Sequence, residues 1–270
     1  MDAIEGQQGD FQAQVLLHPR YVDMDKCIAC GQCAAKCPKK VDDGYNAGLG
    51  KRKAIYVPYA QAVPLKYAID PQQCLQLTKG RCGACAKVCP TGAINFEDTV
   101  ERRTLNVGSV ILAPGFRSFD PTGMDIYGYD QFPNVVTSLE FERILSATGP
   151  FGGHLVKPSA AKKGTAPRKI AWLQCIGSRD QNRTGNSYCS SVCCMYAVKQ
   201  AVMAADHSEI PLQCAIFYMD LRTQGKDFDR YSENARKSGV RFIPARVHTV
   251  DRIPGTDDLL LRYRNALLEA

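Results

Sequence analysis

The sequence predicts an α/β protein, a partial parallel sheet of nucleotide-binding type interrupted by a small inserted α+β unit. Three observations predict it. The last hundred residues alternate apolar strand segments with helical ones. Eight cysteines fall into two motifs of matching form, opening at Cys27 and at Cys74. The segments on either side of those motifs read as strands of one interrupted domain.

The chain has 270 residues, 45% of them apolar and 9% aromatic, enough to bury a core. No run of about 18 uncharged apolar residues occurs, and "MDAIEGQQGDFQAQV" lacks the basic start and apolar stretch of an export signal. The expectation is a cytoplasmic protein with no membrane insertion. Thirteen cysteines in that reducing setting point to metal or redox chemistry rather than structural disulfides. Lys39, Lys40, Lys51, Arg52 and Lys53, and later Lys162, Lys163, Arg168 and Lys169, form basic groups. No aromatic interleaving or nucleic-acid motif accompanies them, so they read as solvated or docking surfaces.

Along the chain, Phe11, Ala13, Val15 and Leu17 alternate with polar residues, as in a half-buried strand. "CIACGQCAAKCP" then sets Cys27, Cys30, Cys33 and Cys37 at the C-x2-C-x2-C-x3-C-P spacing of bacterial ferredoxins, in which the fourth cysteine serves the other cluster. A second copy follows: Cys74, then Cys82, Cys85 and Cys89 before Pro90, with "LQLTKG" looped out inside it. Crossed ligation assigns Cys27, Cys30, Cys33 and Cys89 to one 4Fe-4S cluster and Cys74, Cys82, Cys85 and Cys37 to the other. Zinc is the alternative, since it also takes cysteine pairs two apart. The segment between the motifs, turn-rich and then apolar with tyrosines, reads as an excursion covering a cluster.

"TVERRTLNVGSVILAPGF" reads as a strand, a turn and a buried strand ending at Ala113, Pro114 and Gly115. "NVVTSLEFERILSATGP" reads as a helix capped by Thr137 or Ser138 and stopped at Gly149, and "HLVKPSAAKKGTAPR" as a polar linker. Then come "KIAWLQCIG" (strand), "SVCCMYAVKQAVMAAD" (helix), "LQCAIFYMD" (strand), "KDFDRYSENARKSG" (helix) and "VRFIPARVHTV" (strand), a parallel βαβαβ pattern. Its first strand-to-helix loop has no G-x-G-x-x-G, and cysteines stand there instead.

"LEFERILSATGP", "QCIGSRD", "YCSSVCCMYAVKQA" and "IFYMDLRTQGKDF", joined in this order to the two ferredoxin motifs, resemble the family of heterodisulfide reductase A subunits. The resemblance implies a partial thioredoxin-reductase-like, Rossmann-type sheet with an inserted two-cluster ferredoxin domain. Residues 1–20 would be a strand of the flavoprotein-like domain, 21–96 the insert, 97–155 the rest of that domain, and 156–270 the βαβαβ unit. The family's flavin fingerprint would lie before Met1 and its later segments after Ala270. FAD is accordingly expected only with a partner chain or missing segments, and Ala113, Pro114 and Gly115 would be a vestigial flavin contact.

The resemblance further implies a third 4Fe-4S cluster on Cys175, Cys189, Cys193 and Cys194. The residues agree with it: Cys175 ends a parallel strand, and the others stand at the start of the next helix, whose unpaired N–H groups favour an anion. Buried helix thiols, a zinc site or a redox disulfide remain the alternatives. With twelve thiolates and three cores of roughly +2 counted, the formal charge of +7 falls to roughly +1. Cys214 is left over as a core residue. His18, His154, His207 and His248 follow no ligand spacing, and Trp172 and Met195 flank the third site as packing.

The resemblance suggests an electron relay within a complex rather than a substrate-transforming enzyme. Its partners would be other subunits of a flavin-, ferredoxin- or heterodisulfide-reductase-type redox complex, electron-bifurcating and anaerobic, with no nucleic acid. No paired carboxylates, nucleophile-base pair or phosphate loop stands out as catalytic. The rival readings are a self-contained FAD-dependent disulfide-reductase-type enzyme and, more distantly, a zinc module that binds nucleic acid.

Overall fold

The computed structural model describes residues 1–264. Two compact units divide the chain, Met1–Phe116 and a second from Arg117 onward. Three strands frame the first: β1 (Ala3–Gln7), β2 (Asp10–Leu17) and a later partner at Glu101–Val107. They form an antiparallel sheet with β2 in the centre. Gly6 makes the first hairpin possible, since its φ is 109° and a Cβ there would lie 2.2 Å from the Asp10 carbonyl oxygen. Ala13 is buried on β2 as the alternation requires, but Leu17, the last of the alternating set, is exposed.

Between those framing strands lies the cysteine-rich unit. It runs α1 (Gln32–Lys36), the hairpin β3 (Lys40–Asp42) and β4 (Lys51–Lys53), the pair β5 (Ile55–Tyr56) and β6 (Ala68–Ile69), then α2 (Leu75–Lys79) and α3 (Ala84–Lys87). The strand closing the frame, Glu101–Val107, is β7. Helices this short cannot nucleate by themselves. Their hold is tertiary: Val22, Ile55, Ile69 and Ala93 are buried with Cys27, Cys33, Cys74 and Cys85 in one interior.

In the second unit, α4 (Ser138–Leu145) starts with a reciprocal cap. Thr137 Oγ1 accepts from Glu140 N at 3.2 Å, and Glu140 Oε2 accepts from Thr137 N at 2.6 Å. The helix ends at Leu145, short of the expected stop at Gly149. The polar linker is partly internal, with Leu155 and Val156 buried before a 3-10 turn at Pro158–Lys163.

The parallel core follows: β8 (Lys169–Leu173), the single turn α5 (Gln181–Thr184), α6 (Cys193–His207), β9 (Gln213–Phe217), α7 (Phe228–Lys237) and β10 (Arg241–Ile243). The strands pair in parallel in the order β10-β9-β8. Cys194, Ala197, Val198, Ala201 and Ala204 share the buried stripe of α6, at the 3–4 residue spacing of one helix face. Beyond β10 lies an antiparallel hairpin of β11 (Val247–Arg252) and β12 (Leu259–Tyr263).

Two strand expectations are corrected. "VRFIPARVHTV" is two strands, because Pro244 has no N–H for a ladder and the chain leaves the parallel sheet there. "SVILAPGF" is not a buried strand: residues 110–116 form no regular element, and Ile111 and Leu112 are 91% and 72% exposed. No strand pairs with them among the described residues, so their apolar character alone does not bury them.

Candidate iron-sulfur sites

Each ferredoxin-type motif repeats one local device. Gly31 (φ 81°) and Gly83 (φ 72°), both left-handed, turn the chain into α1 and α3, and Cys33 and Cys85 are each buried two residues later. The fourth cysteine of each motif lies beyond its helix, at Cys37 and Cys89, and both are half-buried.

The fold sorts the eight thiols into two cavities. One is lined by Cys37, Cys74, Cys82 and Cys85, with Ala54, Ile55 and Ile69 supplying apolar wall. The other is lined by Cys27, Cys30, Cys33 and Cys89, with Val22, Tyr67 and Ala93 around them. The excursion between the motifs thus walls both cavities. Motif spacing assigns no residue of it to a site, although "PLKYAID" carries the apolar and aromatic character that a wall needs.

The electrostatics follow the same grouping. Burial, with Cys30 and Cys27 adding, pushes the Cys33 thiol up to about 11. Burial, with Cys74 and then Cys37 adding, does the same to Cys85, also to about 11. Cys89 is lowered: burial would raise it, but the Ala93 N–H at 3.3 Å and the Thr91 hydroxyl outweigh that. Backbone anchors reach across: Lys53 Nζ donates to the Cys37 carbonyl and Lys66 Nζ to that of Cys27, each at 2.5 Å. Thiols held protonated by burial and crowding favour a cationic core that takes them as thiolates.

A third gathering sits at the carboxyl end of the parallel sheet. Cys175, buried, lies two residues past β8; Cys193 and Cys194 open α6; Cys189 lies in the loop before it. Left-handed backbone at Cys175, Arg179 and Ser191 bends this loop back onto the helix start. Val192 at the N-cap supplies no side-chain acceptor, leaving the helix's first N–H groups without a side-chain cap. The Cys194 Sγ donates to the Asp220 carbonyl at 3.9 Å, and the adjacency of the two thiols lowers Cys193 and raises Cys194, one proton serving the pair. Burial and then Cys193 raise Cys175, opposed by the Arg179 guanidinium within hydrogen-bonding reach.

Sequence patterning gives Arg179 no role, though it stands inside "QCIGSRD". It also pairs with Asp220, whose other oxygen takes Arg222 Nε at 3.1 Å. Among the described residues, no group of three or more His, Cys, Asp or Glu side chains is placed to hold a single metal ion. Tetrahedral zinc would need four sulfurs about 4 Å apart. Thiols spaced around a cavity fit a larger inorganic core.

The remaining thiol, Cys214, is 3% exposed on β9, and its Sγ donates to the Ala201 carbonyl at 3.6 Å. Met195 contacts Ser232 Oγ at 3.7 Å, and Trp172 packs edge-on to Phe141 at 5.5 Å. Ala113, Pro114 and Gly115 are exposed in the irregular segment after β7. No helix of the described residues is long and apolar enough to cross a membrane.

Residues 26–93 match the family described as the 4Fe-4S dicluster domain, which makes this an iron-sulfur protein. Over 266 residues, 98% of this chain, it is 42% identical to the iron-sulfur A subunit of the CoB–CoM heterodisulfide reductase of Methanocaldococcus jannaschii. It is 44% identical over the same share to an iron-sulfur A subunit of that reductase from Methanopyrus kandleri. With the A subunit of the H2:CoB–CoM heterodisulfide,ferredoxin reductase of Methanothermobacter thermautotrophicus it shares 37% identity over 97% of its length. The chain is thus a relative of the heterodisulfide reductase A subunits along nearly its whole length. It spans 38–39% of the length of these relatives.

Proposed function

We propose that the chain is a one-electron relay carrying three 4Fe-4S clusters within a larger cytoplasmic redox complex of heterodisulfide reductase type, with electron bifurcation at a flavin as its setting. The observation that carries this reading is the sorting of eight cysteines from two motifs into two four-thiol cavities, each taking one cysteine from the other motif. Cys27, Cys30, Cys33 and Cys89 would hold one cluster and Cys37, Cys74, Cys82 and Cys85 the second. Cys175, Cys189, Cys193 and Cys194 would hold the third. When bound, each cluster supplies a centre that takes up and releases one electron with little movement of its surroundings.

The chain's own residues would do the rest. Ile55 and Ile69 exclude water from one site, Tyr67 and Val22 from the other, and Lys53 and Lys66 pin the backbone of Cys37 and Cys27. A partial Rossmann-type, thioredoxin-reductase-like sheet is supported by the parallel order β10-β9-β8 with α6 and α7 as crossovers. On this reading residues 1–20 and 97–155 flank a ferredoxin insert at 21–96, and 156–270 carry the third site where such sheets bind nucleotides. FAD, if present in the assembly, would be held by a partner or by sequence outside these 270 residues, with Ala113, Pro114 and Gly115 as a minor contact.

Anaerobically purified chain should contain about twelve iron and twelve acid-labile sulfides, the sum of three 4Fe-4S clusters. Eight of each would remove the Cys175 site, and stoichiometric zinc without sulfide would overturn the reading.

A further inference from the structure

The two cavities of the ferredoxin-like unit open through chemically different mouths. At the first, Cys82 is exposed and follows Arg81 directly, and Lys79 and Arg81 are both exposed, at the last residue of α2 and just beyond it. The same cavity is lined by Cys37, Pro38 and Lys39, with Lys36 and Lys40 on either side in the chain, and Ala54 N donates to the Lys39 carbonyl at 3.2 Å to hold that segment in place. Among the described residues, none of Lys36, Lys39, Lys40, Lys79 and Arg81 makes an ion pair, whereas Lys51 is paired to Asp42 and Arg52 to Asp70. The second mouth differs. Its exposed thiol, Cys30, stands beside Ile28, which is 64% exposed, and the nearby Lys26 is paired to Asp23 at 3.2 Å.

Residues 26–93 hold eleven Lys and Arg against three Asp and no Glu. Two oxidised clusters with their thiolates would return roughly −4, leaving this unit basic. Among the described residues, five of its cations without an ion pair stand at the Cys37–Cys82 mouth, while Lys53 and Lys66, also without one, are turned onto the Cys37 and Cys27 carbonyls. Fields of this kind raise association rates with oppositely charged partners by about 10–1000-fold at low salt.

We propose that the Cys37–Cys82 mouth is a docking face for a small acidic electron-carrier protein, steered by Lys36, Lys39, Lys40, Lys79 and Arg81. This rests on the reading that Cys37, Cys74, Cys82 and Cys85 hold a cluster. One electron passes between the carrier's reduced centre and the oxidised cluster under the exposed Cys82; no bond forms or breaks and no proton need move. The apolar Ile28 mouth is left for a contact that charge does not steer.

The test is stopped-flow transfer from a dithionite-reduced acidic [2Fe-2S] ferredoxin, used as probe, to the cluster-loaded chain between 20 and 500 mM salt. The expected second-order rate falls at least tenfold over that range. Lys79→Glu with Arg81→Glu should lower it about tenfold at low salt and converge with the parent at high salt, with iron content and EPR signals unchanged. Lys26→Glu, carrying a charge change beside the other mouth, should have the smaller effect. A rate indifferent to salt, or a double variant as fast as the parent, with both EPR signals intact, overturns the docking face alone. Absence of the second ferredoxin-type signal in the parent chain overturns the cluster reading and this proposal with it.

Discussion

The indole N–H of Trp172 donates to Gln200 Oε1 at 3.1 Å inside the second unit, and Gln200 Nε2 in turn donates to the Ser138 carbonyl at 2.7 Å. Both side chains are buried. One amide therefore ties β8, α6 and α4 together, and through them sets where Cys175 past the strand end meets Cys193 and Cys194 on the helix.

Gln200→Leu should cost about 1–3 kcal/mol of stability, since it leaves the buried indole N–H without a partner and removes the tie to the Ser138 carbonyl. Trp172 is the only tryptophan, so its emission in a denaturant titration reports the change directly. An unchanged midpoint would show that the amide holds nothing.

Crossed ligation has an epistatic signature. In a Cys33→Ala background, where the Cys27-group cluster is already lost, adding Cys37→Ser should abolish the remaining ferredoxin-type EPR signal and adding Cys89→Ser should leave it. The reverse pattern would mean that each motif serves its own cluster.

Arg179→Gln should lower the midpoint potential of the third cluster without removing its iron, because the guanidinium beside Cys175 favours the more negative, reduced state. An EPR-monitored redox titration reads this, and Arg179→Lys should restore part of the shift. An identical potential in all three chains would leave Arg179 a loop anchor only.

Cys214 should resist alkylation at pH 9. Burial raises its thiol to about 11 from an ordinary 9.0, so it stays protonated in the folded protein while an unfolded chain would already be half ionised. The sign for stability follows: its contribution is unchanged below pH 9 and turns unfavourable as pH rises from 9 through 11. Peptide mass mapping after iodoacetamide should find Cys214 unmodified until denaturant is added.

This 270-residue polypeptide, loaded with iron and sulfide and then incubated with FAD, should lose the flavin on a desalting column. Tight binding in such sheets uses a glycine turn at the first strand-to-helix loop, where this chain carries thiols, and Ala113, Pro114 and Gly115 are exposed. Near-stoichiometric retention would move the protein from relay to flavoenzyme.

Local rules were legible in the sequence by itself. The spacing of Cys27 to Cys37 and of Cys82 to Cys89, the helix start at Thr137 or Ser138 and the helix of α6 each depend on neighbours within a few positions, so periodicity and chain geometry suffice to read them. Tertiary structure decided what depends on distant partners. The composition of each cavity wall, with Ile55, Tyr67 and Ile69 supplied by the chain between Cys37 and Cys74, is one such case. So are the placing of Arg179 between Cys175 and Asp220, and the different charge of the two mouths. Apolar sequence also failed to bury residues 110–112, because burial is a relation to a covering surface and no run of side chains contains its own cover. Pro244 shows the converse: a missing N–H is local, but where the strand it ended would go was settled only by the hairpin partner at Leu259–Tyr263.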